Sequence, residues 1–203
     1  MATEAAACGS HRHPWWRRAG WLLGLALCLP LAAQPLGNRE RQVEAAFLVN
    51  FVRYAEWPRQ RFTGEGDPYV IAVVGSQDAT DTVAAIARAA GPIQGRRIEV
   101  RRVDLDARGA RREAAARRLR AAHVAFLSSD AATSAEQLLG ALDGAPVLTV
   151  SDVPGFVEAG GMLGLVRAGP HMAFEANPRA INACGLGLSA KALKLARIRE
   201  PMP

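Results

Sequence analysis

Apolar residues recur along this chain in two rhythms that alternate in order. In NRERQVEAAFLVNFVRYAEWP, residues 38–58, Val43, Phe47, Phe51 and Tyr54 are spaced by three and four, which predicts one face of a helix. Asn38 can cap its start and Pro58 ends it. Asn50 falls beside the stripe and reads as a buried amide satisfied by backbone. After the turn-rich TGEGDP, the unbroken apolar run Tyr69–Val74 predicts a strand covered on both faces, as in a parallel sheet. A helix over DATDTVAAIARAAG comes next. In RRIEVRRV, Ile98 and Val100 alternate with charge, which predicts a half-exposed strand nearer an edge. ARGARREAAARRLRAA is helical by propensity, HVAFLSS is a second buried strand, AATSAEQLLGALDG a helix ending on Gly144, and APVLTVSD a third strand.

Strand and helix in alternation define an α/β domain with a mainly parallel sheet and flanking helices. The tail departs from this. GMLGLVRAGPHMAFEANP predicts an antiparallel hairpin around AGP, and a last helix is expected from Arg179 to Ile198, with Ile181, Leu188, Leu195 and Ile198 among its apolar positions.

The beginning of the chain changes the picture. HRHPWWRR, then AGWLLGLALCLPL, then AAQ have the basic, apolar and small-residue parts of a secretory signal. The apolar run is shorter than the roughly 20 residues of a bilayer crossing. Cleavage is expected after Ala33, although Leu31 is larger than a peptidase prefers, and an uncleaved anchor is the alternative. Residues 1–33 would thus be a signal peptide and residues 34–203 a single domain, exported to the periplasm and without a further membrane span. Of 25 Lys and Arg and 19 Asp and Glu, the signal holds three and one, leaving 22 and 18 and a formal charge of +4. Cys8 and Cys28 leave with the signal. Cys184 then stands alone and reads as a small buried hydrophobe, with no basic neighbour or Cys/His partner close in sequence to make it reactive.

Candidate chemistry is sparse. If the buried strands are parallel, the loops at residues 75–78, 128–130 and 151–156 leave their carboxyl ends, the edge where ligands sit in open α/β sheets. Ser76, Asp78, Ser128, Ser129, Ser151 and Asp152 are therefore candidate ligand-loop residues, although hydroxyls and carboxylates there also serve as helix caps and turns. Ser128 or Ser151 could be drawn into a triad with His123 and Asp152, but no G-x-S-x-G elbow is present, and no catalytic residue is assigned. His123 and His171 each open an apolar strand; with one distant cysteine they make no zinc site, and no cofactor or metal is expected. GFVEAGG leads into a strand rather than a helix, so it is no nucleotide fingerprint. Arg108, Arg111, Arg112 and Arg118 lie along one helix face; export removes nucleic acid as a partner, leaving a solvated face, or contact with an acidic protein or anionic envelope surface.

Taken in order, AAFLVNFVRYAEWP, IAVVG, QGRRIEVRRV, HVAFLSS, LTVSDVPGFVEAGGMLGLV and FEANPRAINACGLGLSAKALKLAR resemble the YfiR family of periplasmic proteins over nearly the whole mature chain. The resemblance implies a regulator that binds the periplasmic domain of a membrane-bound diguanylate cyclase, or another inner-membrane receptor, and restrains it, with consequences for cyclic di-GMP and biofilm. A homodimer is compatible with it. A small-molecule-binding sensor module is the alternative. Better-known members carry a cysteine in the IAVVG strand and another just before the HVAFLSS histidine, joined as a disulfide; by the resemblance, Ala72 and Ala122 stand at those places here, and the cysteines near the GF loop are absent as well.

In DVPGFVEAGGMLGLV, Gly160 and Gly161 are expected to allow a positive φ or a bulge. Phe156 has two readings. It is a lid folded back on the sheet, or an exposed anchor for the partner, joined by Met162 and Leu163 and rimmed by Glu158 and Glu175.

Overall fold

A computed structural model describes residues 36–199 other than Ala107. The expected signal peptide lies outside the described residues. Helix α1 (Leu36–Tyr54) passes into the short strand β1 (Ala55–Glu56). Its buried stripe is Ala45, Leu48, Val49, Phe51 and Val52. Phe47 and Tyr54 only flank it, and Val43 is 39% exposed. The sequence pattern follows the large side chains, whereas the small Ala45 is what sits deepest at that end. Asn50 is exposed, contrary to the expected buried amide. Asn38 lies inside the helix, where its Oδ1 accepts from Arg41 at 3.1 Å, and the helix ends before Pro58.

The chain continues through β2 (Tyr69–Val74), α2 (Gln77–Ala90), β3 (Ile98–Arg102), α3 (Ala110–Arg120), β4 (Val124–Leu127), α4 (Ala135–Ala141), β5 (Leu148–Ser151), β6 (Leu163–Ala168) and β7 (His171–Ala176). It closes with α5 (Pro178–Ala183), β8 (Gly187–Leu188), α6 (Ala190–Leu195) and β9 (Arg197–Ile198). The main sheet has the order β3-β2-β4-β5-β6-β7-β9, and β1 pairs with β8 in a separate ribbon. Only β6 and β7 are antiparallel in the main sheet, which is the expected mostly parallel α/β architecture with its hairpin.

Strand period two sorts the core into two layers. Tyr69, Ile71 and Val73 face a core shared with α1 and α2, together with Val124, Phe126, Leu148 and Val150. Val70, Ala72 and Val74 face the other, with Leu119 of α3, Leu138 and Leu142 near α4, and Leu127. At the edge strand β3, Glu99 bridges Arg97 at 2.9 Å and Arg101 at 2.6 Å.

β5 and β6 are parallel, so residues 152–162 must cross one face of the sheet, and they do so without a regular helix. Phe156 and Val157 supply the apolar cover. Phe156 is 2% exposed and packs in the α3 and α4 layer; Val157 is 1% exposed. Each is seated on a glycine. A Cβ on Gly164 would come within 2.9 Å of Val157 Cγ2, and one on Gly161 would overlap the Phe156 ring. Gly160 has the expected positive φ of +103°, while Gly161 is required for close approach.

The long last helix is absent. α5 stops at Ala183, Gly185 adopts a φ of +70°, and two short strands interrupt the remainder of the expected helix. Leu195 and Ile198, expected on its apolar face, are 71% and 52% exposed. The two glycines at 185 and 187 permit the break, and pairing of β8 with β1 and β9 with β7 replaces helical hydrogen bonds.

The register also corrects the disulfide comparison. Ile71 lies opposite Val124, so Ala122 falls opposite Tyr69, three residues along the strand from Ala72. That offset is roughly 10 Å at the strand rise, beyond the ~7 Å limit for a bridge. Positions 72 and 122 of this fold are therefore no disulfide pair. Both alanines are instead fully buried in the α3 and α4 layer.

Candidate functional site

At the carboxyl ends of β2, β4 and β5 a cleft of about 610 Å³ opens. Its floor is Ser76, Asp78, Ser128, Ser129, Asp130 and Asp152. Five of the six candidate loop residues thus converge. The sixth, Ser151, does not reach the cleft: it is fully buried, its Oγ donates to the Leu127 carbonyl at 2.8 Å and accepts from the Val153 N–H at 3.0 Å, and it ties β4 to the crossover.

Several floor residues also shape backbone. Ser76 caps α2, accepting from the Ala79 N–H at 3.2 Å. Asp130 accepts from the Ser76 N–H at 3.1 Å, joining the first loop to the second. Gly75 permits that approach, since a Cβ there would lie 2.8 Å from both Ser128 Cβ and Asp130 Oδ1.

The walls come from elsewhere in the chain. α1 contributes Glu40, Arg41 and Glu44; Leu165, Val166, Arg167 and Met172 come from the β6-β7 hairpin, and Pro154 from the crossover. Arg41 pairs with Asp78 at 3.1 Å, and Arg167 pairs with Glu40. Glu44 is 8% exposed and has neither an ion-pair nor a hydrogen-bond partner among the described residues. Burial raises its pKa to about 7, with repulsion from Asp152 and Glu40 adding to this, and Arg41 and Arg167 opposing it. Asp152 is also pushed up, chiefly by burial, against hydrogen bonding from Ser129; its Oδ1 is buried without a hydrogen-bond partner.

Sequence reasoning found the floor and missed the walls. Glu44 did carry a signal. It precedes Leu48, Phe51 and Ala55 at spacings of four, three and four, so it continues the buried stripe of α1 with a carboxylate.

The residues of the candidate triad are not assembled. His123 precedes β4 and Ser128 follows it, so they sit at opposite ends of one strand, roughly 16 Å apart by strand rise. His123 accepts from the Val70 N–H through Nδ1 at 3.1 Å and stacks on Phe62 with a centroid distance of 4.8 Å. Burial first, then Arg61 and Arg96, lowers its pKa to about 4, so it is neutral at pH 7.

The partner-anchor residues also separate. Phe156, Met162 and Leu163 are 2%, 5% and 0% exposed, and belong to the core on which the crossover closes. Phe156 is therefore the lid. Glu175 is 7% exposed and held by Arg199 Nε at 2.9 Å; of the five, only Glu158 is on the surface. Arg108, Arg111, Arg112 and Arg118 are all exposed. Among the described residues, no helix is long and apolar enough to cross a membrane, and no group of three or more His, Cys, Asp or Glu has an arrangement able to hold a metal.

The class defined by this geometry is an open, mostly parallel α/β domain with a polar cleft at its carboxyl edge. The YfiR/HmsC-like family model matches residues 41–197, and the chain belongs to that family. No relative among curated proteins matches the chain. A solved structure of similar fold is that of a conserved domain protein from Vibrio cholerae, with a TM-score of 0.55 and 13% identity. The alignment covers 78% of this chain and 59% of that one, so the chain spans less than two thirds of that protein's length. The likeness is one of fold.

Proposed function

We propose that this protein is a periplasmic regulator that binds the periplasmic domain of an inner-membrane signalling protein, a diguanylate cyclase in the leading reading, and restrains it. The observation that carries this is the family match across residues 41–197, which takes in the sheet up to β9 and most of both walls of the cleft. Restraint of a cyclase lowers cyclic di-GMP and biofilm.

The convergence of Ser76, Asp78, Ser128, Ser129 and Asp152 favours a second role within the same reading, as the sensor of a small molecule. The test is genetic and begins with export. Deletion should raise cyclic di-GMP and biofilm, and the full chain should restore both, with its mature form starting near Gln34 in the periplasmic fraction. A chain lacking residues 1–33 should not restore them. Unchanged cyclic di-GMP on deletion, or full rescue by the leaderless chain, would overturn the reading.

A further inference from the structure

The cleft joins five carboxylates, those of Glu40, Glu44, Asp78, Asp130 and Asp152, to only two guanidinium groups, those of Arg41 and Arg167. Both arginines are already engaged: Arg41 with Asp78 Oδ2 and Asn38 Oδ1, each at 3.1 Å, and Arg167 with Glu40. Asp130 accepts from the Ser76 N–H. The carboxylate of Glu44 and the Oδ1 of Asp152 remain, Ser129 hydrogen-bonding the Asp152 carboxylate without satisfying that oxygen. Glu44 is more than nine-tenths buried without a partner among the described residues, and Asp152 Oδ1 is buried without one. Two such groups facing one cleft are costly unless a cation or a proton stands between them.

We infer that Glu44 and Asp152 together receive the ammonium group of a small primary amine, whose apolar body lies along Pro154, Leu165 and Met172. The apolar wall distinguishes this ligand from a bare ion, and the carboxylate grouping lacks the arrangement that would hold a metal. An ammonium donates three hydrogen bonds and accepts none, which matches acceptors lacking donors. The cleft volume of about 610 Å³ suits a small organic molecule. Burial, with repulsion from Asp152 and Glu40 added, raises Glu44, and a cation beside it favours the charged form, so the acid ionises as the amine binds. The inference gives a ligand class to the sensing role, and direct binding decides it whether or not the protein restrains a cyclase.

The experiment titrates the purified mature protein with n-butylamine, 1,4-diaminobutane and 1,5-diaminopentane by calorimetry at pH 8. n-Butanol, n-butyrate and calcium chloride serve as uncharged, anionic and metal controls. At least one amine should bind saturably and the controls should not. Charge-assisted hydrogen bonds of this kind make Glu44→Gln and Asp152→Asn each weaken binding about tenfold or more, while both variants retain cooperative unfolding. Binding should also weaken as pH falls below about 7, where burial, then repulsion from Asp152 and Glu40, keep the proton on Glu44 against the opposing pull of Arg41 and Arg167. Absence of saturable amine binding, equal binding of n-butanol, binding of calcium alone, or full affinity in both variants would overturn the inference. If one variant fails to fold, the other carries the comparison.

Discussion

The ring of Phe156 lies directly on Gly161: a Cβ at that glycine would come within 2.3 Å of both Cδ1 and Cε1, and within 2.7 Å of the Phe156 carbonyl oxygen. The aromatic in the Gly/Pro loop and the glycine pair after it are thus one packing unit. Gly161→Ala should lower stability by about 3 kcal/mol or more, since the ring and the backbone must both move. Phe156→Ala should cost about 3–5 kcal/mol through the cavity left under α3 and α4. Urea denaturation of the two single variants and the double variant checks this. The double variant should lose less than the two combined, because removal of the ring relieves part of the clash that the new methyl group creates. Strict additivity would mean that the two residues do not touch.

Stability should respond to pH through two buried groups of opposite sign. Glu44 has its pKa raised from 4.5 to about 7, so between those values the folded state holds a proton that the unfolded state has released, and stability falls as pH rises through that window. His123 has its pKa lowered from 6.5 to about 4, so stability falls as pH drops from 6.5 toward 4. The two slopes oppose each other in the overlap, and the Asp152 shift adds to that of Glu44. Glu44→Gln should therefore be more stable than the parent above pH 7, by at most about 3 kcal/mol, and should show a clearer decline below pH 6.5. Urea midpoints from pH 4.5 to 8 decide it; parallel curves for variant and parent would count against the assignment.

Arg199 and Glu175 should respond unequally to mutation. Glu175 is buried and accepts from Arg199 Nε at 2.9 Å, with Nη2 2.8 Å away in the same ion pair, while the arginine side chain is half exposed. Arg199→Ala leaves a buried carboxylate without its partner and should lower the melting temperature by about 2–6 °C, moderated by water reaching the vacated site. Glu175→Gln should lower it by less than about 2 °C, since the freed arginine can extend into solvent. Thermal melts of both variants rank the two losses.

Reductant should leave the mature protein unchanged. Cys184 is the free cysteine of the described residues, half-buried beside Gly144, with its thiol pKa raised by burial and by Asp143. The melting temperature should be the same with and without dithiothreitol. A reductant-sensitive shift, accompanied by a dimer on a non-reducing gel, would place Cys184 in a bridge between subunits.

The sheet is readable because buried parallel strands demand unbroken apolar runs, and Tyr69–Val74 and the HVAFLSS segment have them. The cleft floor follows from topology alone. Its walls are hidden because α1 and the β6-β7 hairpin reach the floor through long-range packing, which periodicity does not encode; Glu44 holds a position on the buried stripe of α1, yet its carboxylate drops out of a pattern read by apolar side chains. Phe156 has no periodicity to place it. Its burial follows from the parallel pairing of β5 with β6, which forces a helix-less crossover to cover the sheet with its own side chains. The last helix is overread because apolar spacing continues across Gly185 and Gly187, where backbone freedom and strand pairing prevail.

The charged ladder of Arg97, just before β3, with Glu99 and Arg101 on the strand has a bearing on how crowded copies of this protein treat one another. An outermost strand is a template on which a neighbouring chain can extend the sheet, and growth by that route ends in aggregation. Strand addition at β3 would strip water from three linked charges and set the arginines of one copy against those of the next. At that edge polymerisation is therefore disfavoured, and β3 serves as a guard against it.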